Sequence, residues 1–499
     1  MALDYISIND ASLVSGVLKT SFLALLCYFL YQFFKNGKRY NYPPGPTGLP
    51  FLGSVLSLIF TKKYQHEVVA QWTKKFGNVI CIKLFNTRLV ILSDEQLIQE
   101  VFGGHHVIDR PAMPVVKEVT GRKFAGVAFA NGEIWQEQRR FFLSAFKKPE
   151  VGGIRYENII EDQAIRVLSE IEKSNGQMFE PNQWLYASIG NIILKIATGV
   201  SYEYDDDKLR RILVRSKRIF DAIGPGGLLN VVPILAAIPS RPKQLLSEGW
   251  SGLFDYMRES IASHKSATGS QGDDFIKKYL TMSGKVDGKG SFDETNLLES
   301  SIEMLIGGLE TSATSLEWIL HTLASHPEAQ RRIRQEMAEV IGKDRFPQYS
   351  DHNRMPQTMA IIAECMRFRP VAPIPFTHIA NEDFKIGEYD IPNGTQITFS
   401  VWDLARSPML WEKPEEFRLD RFLTKDGKFN KKREPSHFGV GRRICPGEVL
   451  ARAEIFLFTT YIVRRFNLRL AEGTPENPKC LVGLTVRPEP YQIHAEKIE

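Results

Sequence analysis

The sequence predicts a mainly α-helical protein with a minor β portion (α+β), folded as one large domain. Two short β-branched runs, NVICIKL and RLVILS, are separated by a turn at Asn86 and Thr87, which predicts a small hairpin. Beyond them the pattern of apolar residues is mostly helical, and no internal repeat is visible. A chain of 499 residues with 43% hydrophobic and 24% charged residues is compatible with a single large core.

Charge and cysteine content exclude several classes of protein. The formal net charge of +5 is modest, and no Lys/Arg-rich run is long enough for a nucleic-acid arm, so we expect no nucleic-acid partner. The five cysteines lack the paired spacing of a zinc site or a disulfide framework, and they are Cys27, Cys81, Cys365, Cys445 and Cys480. An odd number of cysteines in so large a chain is compatible with a reducing compartment, in which one of the thiols can be functional without being part of a disulfide.

Residues 1–39 are predicted to form a membrane anchor with a basic flank. The segment Leu13–Phe34 is largely apolar and about as long as a helix that crosses a bilayer. Lys35, Lys38 and Arg39 follow it directly, which favours a single-pass topology with the bulk of the chain in the cytosol. The alternative is a cleaved signal peptide, although acidic rather than basic residues precede the apolar run.

The rest of the chain divides into a proline-rich hinge, residues 40–50, and a large domain, residues 51–499. Proline fixes φ and biases the preceding residue toward extended geometry, so PPGPTGLP predicts a stiff spacer rather than a helix. Farther along, the Gly/Ser/Asp-rich stretches Ser266–Gly272 and Ser283–Ser291 predict surface loops around a short helix, DDFIKKYL.

The most informative cysteine is Cys445, in the segment FGVGRRICPGEVLAR. Gly439, Gly441 and Gly447 let the backbone turn tightly and approach a flat ligand closely. A helix-favouring run begins just after the cysteine, and a helix N-terminus stabilises a thiolate. Such a thiolate can hold iron and favour cleavage of the O–O bond. The alternative for the segment by itself is a buried cysteine at a glycine-rich turn.

This segment resembles the haem-binding signature F-x-x-G-x-R-x-C-x-G of the cytochrome P-450 family. The matching positions are Phe438, Gly441, Arg443, Cys445 and Gly447. The resemblance implies the cytochrome P-450 fold, a large helical domain with small β-sheets, and haem b (iron protoporphyrin IX) as the cofactor. It further implies that Cys445 binds the iron, that Arg443 pairs with a haem propionate, and that Phe438 packs near the thiolate.

Glu364 and Arg367 lie three residues apart, on one face of a predicted helix, and EEFRLDRF follows about fifty residues later. Such a pair by itself is usually a solvated surface ion pair. The order of these two segments along the chain resembles their order in the family, which implies a buried charge cluster of Glu364, Arg367 and Arg421. We assign it to stability of the fold and retention of haem, because removing one partner leaves a buried charge uncompensated.

The run from Ser301 to His326 predicts a long apolar helix that carries the unusual patch GGLETS. Glycines weaken a helix and a carboxylate is costly in an apolar one, so we expect the helix to open locally beside a small molecule. The alternative is helix packing with Glu310 at the surface. GGLETS resembles the oxygen-activating motif of the family, which implies that Thr311 hydrogen-bonds dioxygen and that Glu310 helps to relay protons.

Further cofactor-binding residues follow from the same resemblance. Trp135 and Arg139 lie four residues apart, like the W-x-x-x-R pair that binds a haem propionate in the family. Arg110 and His378 fall where microsomal relatives place additional propionate donors. The alternative for His378 is a core histidine with satisfied hydrogen bonds. The residue sequence of motifs such as GRRICPGEVLAR most resembles that of the animal microsomal branch of the family.

The resemblance also implies partners and a location. We expect NADPH–cytochrome P-450 reductase as electron donor, with cytochrome b5 as a further candidate, at the endoplasmic reticulum membrane. The basic residues expected to dock the reductase are Lys147, Lys148, Lys431, Lys432, Arg433 and Arg442. A solvated charged surface is the alternative. The apolar stretch Ile223–Pro239 is short and broken by proline and glycine, and we interpret it as a loop that dips into the bilayer surface.

The predicted function is insertion of one oxygen atom, by hydroxylation or epoxidation, into a lipophilic small molecule with NADPH and dioxygen. Eight apolar residues are candidates for the substrate pocket: Ile108, Phe124, Phe129, Phe220, Leu305, Val371, Ile374 and Leu484. Two other functions fit a haem-thiolate chain. One is an isomerase or dehydratase that rearranges peroxides without a reductase, and the other is a non-catalytic haem or lipid binder. Retention of the Glu310–Thr311 pair argues against the first, and the complete oxygen and thiolate motifs argue against the second.

Overall fold

Helices form most of the chain that the structure describes. The computed structural model describes residues 40–498 apart from 51, 62, 114–115, 118–124, 148–149, 152–153, 224–237, 267–272 and 286–289, together with scattered positions between 16 and 28. Its helices are α1 Val55–Ile59, α2 Gln65–Phe76, α3 Glu95–Gly103, α4 Gly132–Lys147, α5 Tyr156–Lys173, α6 Asn182–Thr198, α7 Asp207–Ile223, α8 Arg241–Ser266, α9 Phe275–Lys285, α10 Glu294–Ser325, α11 Pro327–Ile341, α12 Pro356–Phe368, α13 Val401–Arg406 and α14 Glu448–Arg465. The mainly helical prediction is therefore confirmed.

The β portion consists of one sheet of five strands and several two-stranded ribbons among the described residues. The strands are β1 Val79–Leu84, β2 Thr87–Leu92, β3 Val107–Asp109, β4 Glu150–Val151, β5 Ile154–Arg155, β6 His378–Ala380, β7 Phe384–Ile386, β8 Tyr389–Ile391, β9 Gln396–Phe399, β10 Phe466–Leu470, β11 Cys480–Val482, β12 Val486–Pro488 and β13 Ile493–Lys497. The larger sheet has the order β1-β2-β9-β6-β3, with β2 and β9 parallel. The predicted hairpin is confirmed as β1 and β2.

Helix α10 lies at the centre of the core. It has 32 residues, which makes it about 48 Å long at the usual rise per residue. Its N-terminus is capped by Asp293, whose carboxylate accepts a hydrogen bond from the Asn296 amide at 2.7 Å. Nearly all its side chains are buried, and it packs against α6, α8, α12 and α14. Because α10 starts at Glu294, it extends seven residues before the predicted start at Ser301.

The structure describes only part of the N-terminal segments to which the predictions apply. The hinge residues 40–50 are not helical, as expected, and the Pro44 carbonyl accepts a hydrogen bond from the Cys81 amide of β1 at 2.9 Å. Most of the predicted anchor, residues 1–39, lies outside the described residues, as do residues 224–237 of the apolar stretch. Within the described positions, no helix combines the length and the apolar character that crossing a membrane requires.

A buried charge cluster joins α12 to the segment that leads to the cysteine loop. The Arg367 Nε donates to Glu364 Oε2 at 2.6 Å, and the Arg421 Nε donates to Glu364 Oε1 at 2.9 Å. The guanidinium groups also donate to backbone carbonyls, including those of Ala405 and Glu412. All three ionic side chains are buried. The expected three-way cluster is thus present, and it fixes the path of the chain after α13.

Arg421→Met should destabilise the fold, because it leaves Glu364 with less compensation for its buried charge. We expect the free energy of unfolding in urea to fall by about 3–5 kcal/mol. Arg418→Met is the matched control, since Arg418 forms exposed ion pairs with Glu412 and Asp420. Such pairs contribute about 0–1 kcal/mol. Equal urea midpoints for the two variants would contradict the structural role of the cluster.

Candidate active site

A largely apolar cavity of about 370 Å³ lies beside α10. One wall is the face of α10 that carries Gly307, Thr311 and Ser312. The opposite wall is formed by the cysteine loop, residues 437–447, and the first turns of α14. A concave apolar space with a few polar groups is the usual form of a ligand or cofactor site.

The cysteine loop is held by its own backbone and by close packing on α3. The Cys445 amide donates to the Phe438 carbonyl at 2.7 Å, which closes the loop. Gly441 has a φ of +74°, and a Cβ at this position would lie 1.8 Å from the Phe102 carbonyl oxygen. Only glycine therefore fits at Gly441. Gly439 also has a positive φ, +83°, whereas Gly447 has a φ of −94°.

The Cys445 side chain is exposed to the cavity. Burial raises the pKa of the Cys445 thiol, and the backbone amides of Gly447 and Glu448 and the charge of Arg139 oppose this rise. These amides belong to the N-terminus of α14, as the sequence predicted. The sulfur thus points into an apolar space while donors stabilise its anionic form, which suits a thiolate that binds a metal.

Three arginines line the same cavity: Arg110, Arg139 and Arg443. Arg443 donates to the carbonyls of Ile108, Ala128 and Ala130 and to the Asn131 side chain. Arg110 donates to the carbonyls of Phe376 and Thr377, and Arg139 to that of Ile444.

These three guanidinium groups repel one another. Within the described residues, none of them forms a salt bridge with a carboxylate. Burial lowers the pKa of Arg110 and of Arg443 to about 9, and repulsion among the three arginines adds to the effect. A buried cationic cluster of this kind favours an anionic ligand.

His378 also lines this side of the cavity, and Trp135 contacts Arg443 without lining the cavity itself. The Trp135 indole is buried, it lies under the Arg443 guanidinium at 3.9 Å, and its Nε1–H has no hydrogen-bond partner among the described residues. His378 is also buried, and burial lowers its pKa to about 3, so the ring is neutral. Its Nδ1–H donates to the Val107 carbonyl at 3.1 Å. The neutral ring therefore presents Nε2 as an acceptor, and donation to a propionate at this position requires the protonated ring.

The residues present fit a haem. An anionic edge would meet the guanidinium cluster, and an apolar macrocycle would meet the apolar walls. The Cys445 sulfur would provide the iron ligand.

Thr311 lines the cavity, and its hydroxyl donates to the Gly307 carbonyl at 2.6 Å. The expectation that α10 opens locally is wrong, since the helix is continuous from Glu294 to Ser325. Space is created instead by Gly307, because no described atom lies within 4 Å of a Cβ built there. At Gly308, a Cβ would lie 2.7 Å from Ile193, so that glycine allows α10 to pack closely on α6.

Glu310 is not among the residues that line the cavity, nor is it at the surface. Its Oε1 lies 3.2 Å from the Thr485 hydroxyl and 3.4 Å from an Arg487 nitrogen, and Arg487 also pairs with Asp221 of α7 at 2.8 Å. Burial raises the pKa of Glu310, while Tyr186 and Arg487 oppose this rise. The structure therefore places Thr311 and Glu310 on different sides of α10.

Five of the pocket candidates line the cavity: Phe129, Phe220, Val371, Ile374 and Leu484. The expectation is wrong for Leu305 and Ile108. Leu305 is buried in the core on another face of α10, and Ile108 contributes its carbonyl to Arg443 without lining the cavity. Phe124 lies outside the described residues.

Sequence reasoning missed two buried carboxyl groups that line the cavity, Glu303 and Glu454. Glu303 accepts hydrogen bonds from the Val127 and Ala128 amides at 2.6 and 2.9 Å, which ties the loop before α4 to α10. Both lie in otherwise apolar helical runs, and that is the signal that could have found them.

Comparison with known proteins agrees with this geometry. The model of the cytochrome P-450 family matches residues 43–495. Cytochrome P-450 2J5 of Mus musculus is 31% identical over 485 residues, which cover 96% of each chain. Cytochrome P-450 2J2 of Homo sapiens is 31% identical over 471 residues, 93% of each chain. The farnesoate epoxidase of Bombyx mori is 31% identical over 484 residues, 94% of this chain and 97% of its own.

The family match covers the domain that carries the cavity, and animal relatives align along nearly the whole chain. The resemblance seen in the motifs is thereby confirmed, and so is the expectation of an enzyme. The chain belongs to the cytochrome P-450 family of haem-thiolate monooxygenases.

Proposed function

We propose that this chain uses NADPH and dioxygen to hydroxylate or epoxidise a lipophilic small molecule, with haem b held by Cys445. The observation that carries the proposal is that the Cys445 sulfur and the Thr311 side chain face one cavity. The apolar lining, which includes Phe129, Phe220 and Ile306, supports a lipophilic substrate. Retention of Thr311 favours oxygen activation over the rearrangement of peroxides.

The residues divide into those that hold the cofactor and those that act on oxygen. Bound haem would supply the activation of dioxygen and the insertion of one oxygen atom. Cys445 would hold the iron from the side of α14, and Phe438 would pack beside the sulfur. Arg110, Arg139 and Arg443 would pair with the propionates, together with the Trp135 N–H, and His378 would join them when its ring is protonated. Gly441 and Gly447 would keep the loop close to the macrocycle.

Thr311 would manage protons at the oxygen-binding side of the cavity. Its hydroxyl donates to the Gly307 carbonyl and can rotate to donate to dioxygen or to water. Glu310 would act at a distance, since its carboxylate is held by Thr485 and Arg487. We assign it to the supply of protons along the far side of α10.

Electrons would come from NADPH through the cytochrome P-450 reductase, with cytochrome b5 as an additional donor. Lys431, Lys432 and Arg433 form an exposed turn, and Arg442 is exposed within the cysteine loop. The side chains of Lys147 and Lys148 lie outside the described part.

Residues 1–39 would anchor the enzyme in the endoplasmic reticulum membrane, with residues 40–50 as hinge and residues 51–499 as catalytic domain in the cytosol. The stretch Ile223–Pro239 would touch the bilayer near the substrate entrance.

The reduced, carbon monoxide-bound absorption spectrum tests the cysteine ligand directly. We expect a strongly red-shifted Soret band for the wild type and loss of that band in Cys445→Ser, because a serine oxygen is a weaker electron donor than a thiolate. Cys365→Ser is the control, since that buried thiol also lines the cavity but lies on α12. A histidine-like band in well-folded wild-type protein would contradict the proposal.

Thr311→Ala should keep the thiolate spectrum but release more electrons as hydrogen peroxide. Loss of the hydroxyl weakens proton delivery, and a positioned acid–base group accelerates a reaction on the order of a hundredfold. We expect peroxide formed per NADPH consumed to rise about threefold or more. Thr322→Ala is the matched control, because the Thr322 hydroxyl on the same helix also bonds a carbonyl four residues back but does not line the cavity. Normal coupling in Thr311→Ala would refute the assignment.

Reversing charge at Lys431 and Lys432 should weaken docking of the reductase. We expect the reductase concentration for half-maximal turnover to rise about tenfold at low salt, because opposite surface charges steer association. The difference should shrink at high salt, where charges are screened. Lys173→Glu is the control, since Lys173 of α5 is 67% exposed compared with 63% for Lys431. Turnover that is insensitive to both salt and charge reversal would contradict docking at this surface.

A further inference from the structure

We propose that Arg369 holds the anionic end of a lipophilic substrate, so that the enzyme prefers an apolar carboxylate to a neutral molecule with the same tail. This inference rests on the proposed function and deepens it, because it names the chemical class of the substrate. Arg369 determines specificity in this scheme and has no part in the oxidation itself.

Arg369 directly follows α12, and it is a fourth arginine in the wall of the cavity. The residue is half-buried. Its guanidinium carbon lies over the Trp318 indole of α10, 4.9 Å from the ring centroid, and Trp318 lines the cavity as well. The guanidinium group is thus stacked on a side chain that belongs to the cavity wall.

The Arg369 side chain is positioned by neutral groups. Nη2 donates to the Glu476 carbonyl at 3.3 Å and to the side-chain oxygen of Asn477. The Nε atom is buried, and it has no hydrogen-bond partner among the described residues. Two bonds therefore fix the orientation of the group while one buried donor stays unused. A buried donor without a partner is costly, and an acceptor on a ligand would remove that cost.

The positive charge around Arg369 is not balanced. In the part of the chain that the structure describes, Arg369 forms no salt bridge with a carboxylate. A second cation lies nearby, since Arg406 donates to the carbonyl of Phe368 at 2.9 Å. Arg406 pairs with Glu415 at 3.7 Å, and that carboxylate is 74% exposed. The region therefore has a net positive charge, which favours an anionic ligand.

The other charged groups of the cavity leave Arg369 available. Burial raises the pKa of Glu303 and of Glu454 to about 8, so both carboxyl groups hold a proton at neutral pH. The haem propionates would meet the three arginines described above, which form a separate cluster. Of the four arginines that line the cavity, Arg369 is thus the one left for a substrate.

The position of Arg369 also indicates which part of the substrate reacts. Trp318 follows Thr311 by seven residues on α10, which corresponds to about 10 Å along a helix. Apolar side chains line the same cavity, among them Ile319, Val371 and Leu484. A carboxylate held at Arg369 would place the apolar tail, and not the carbons beside the carboxylate, next to Thr311.

The central test compares the binding of laurate and of dodecanol to wild-type holoenzyme at neutral pH, followed by the shift of the Soret band. The two probes share their tail and differ in charge. We expect laurate to bind about tenfold more tightly, because it gains a charge-assisted hydrogen bond. Arg369→Met should abolish this preference, and Arg369→Lys should keep part of it because the charge remains. Equal affinities in the wild type would overturn the proposal.

Arg406→Met is the matched control. Arg406 also has a buried nitrogen without a partner among the described residues, but it does not line the cavity. The variant should keep the preference for laurate to within about twofold of the wild type, as expected for a charge that does not contact the ligand. Arg369→Gln keeps the test decisive if Arg369→Met loses haem, since it removes the charge and retains a polar side chain. A preference that persists in Arg369→Gln would show that another group binds the carboxylate.

Turnover separates this proposal from the proposed function. With reductase and NADPH, Arg369→Met should raise KM for laurate about tenfold, leave kcat unchanged and leave the oxidation of dodecanol unaffected. Equal kcat/KM for the two probes in the wild type would contradict the anion site and leave the monooxygenase intact. Absence of the thiolate spectrum in the wild type would overturn both.

Discussion

The burial of α10 on nearly all its faces is the constraint on which the rest of the structure depends. Helices α6, α8, α12 and α14 pack against it, so few of its positions tolerate a change in volume. The cavity exists because this packing is interrupted at Gly307, where a side chain would otherwise fill the space. The neighbouring Gly308 does the opposite, since it brings α10 close to Ile193. Adjacent glycines thus create the space for the reaction and close the core behind it.

The cavity has a strongly uneven distribution of polarity, which would orient a flat amphipathic cofactor. The guanidinium groups of Arg110, Arg139 and Arg443 are gathered together, and they are held mainly by backbone carbonyls. Aromatic and aliphatic side chains cover most of the remaining lining. An anionic edge would be drawn to the arginines, which would leave the apolar part beneath α10 and the metal near the sulfur. The charge distribution of the cavity would therefore set the orientation of the cofactor.

The sequence predicts the fold class, the hairpin, the central helix and the residues of the cysteine loop, because each depends on local patterns or on a contiguous motif. The orientation of side chains around α10 could not be predicted. Apolar residues occur on every face of that helix, so its pattern does not show which residues meet the cavity, and the expectation for Leu305 is wrong. The contact between Glu310 and Arg487 joins positions 177 residues apart, and no local pattern signals it. Glu454 was missed for the same reason, since its meaning depends on what α14 faces.

Phe102 connects two parts of the molecule that the sequence keeps far apart. Its carbonyl lies against Gly441 of the cysteine loop, while its ring packs on His378 and Phe399 of the five-stranded sheet, at centroid distances of 4.9 and 5.1 Å. A change in the core of that sheet would therefore be transmitted through α3 to the cysteine loop. We expect related chains to vary these sheet positions jointly with Phe102, so that coordinated substitution, rather than strict identity, preserves the position of the sulfur.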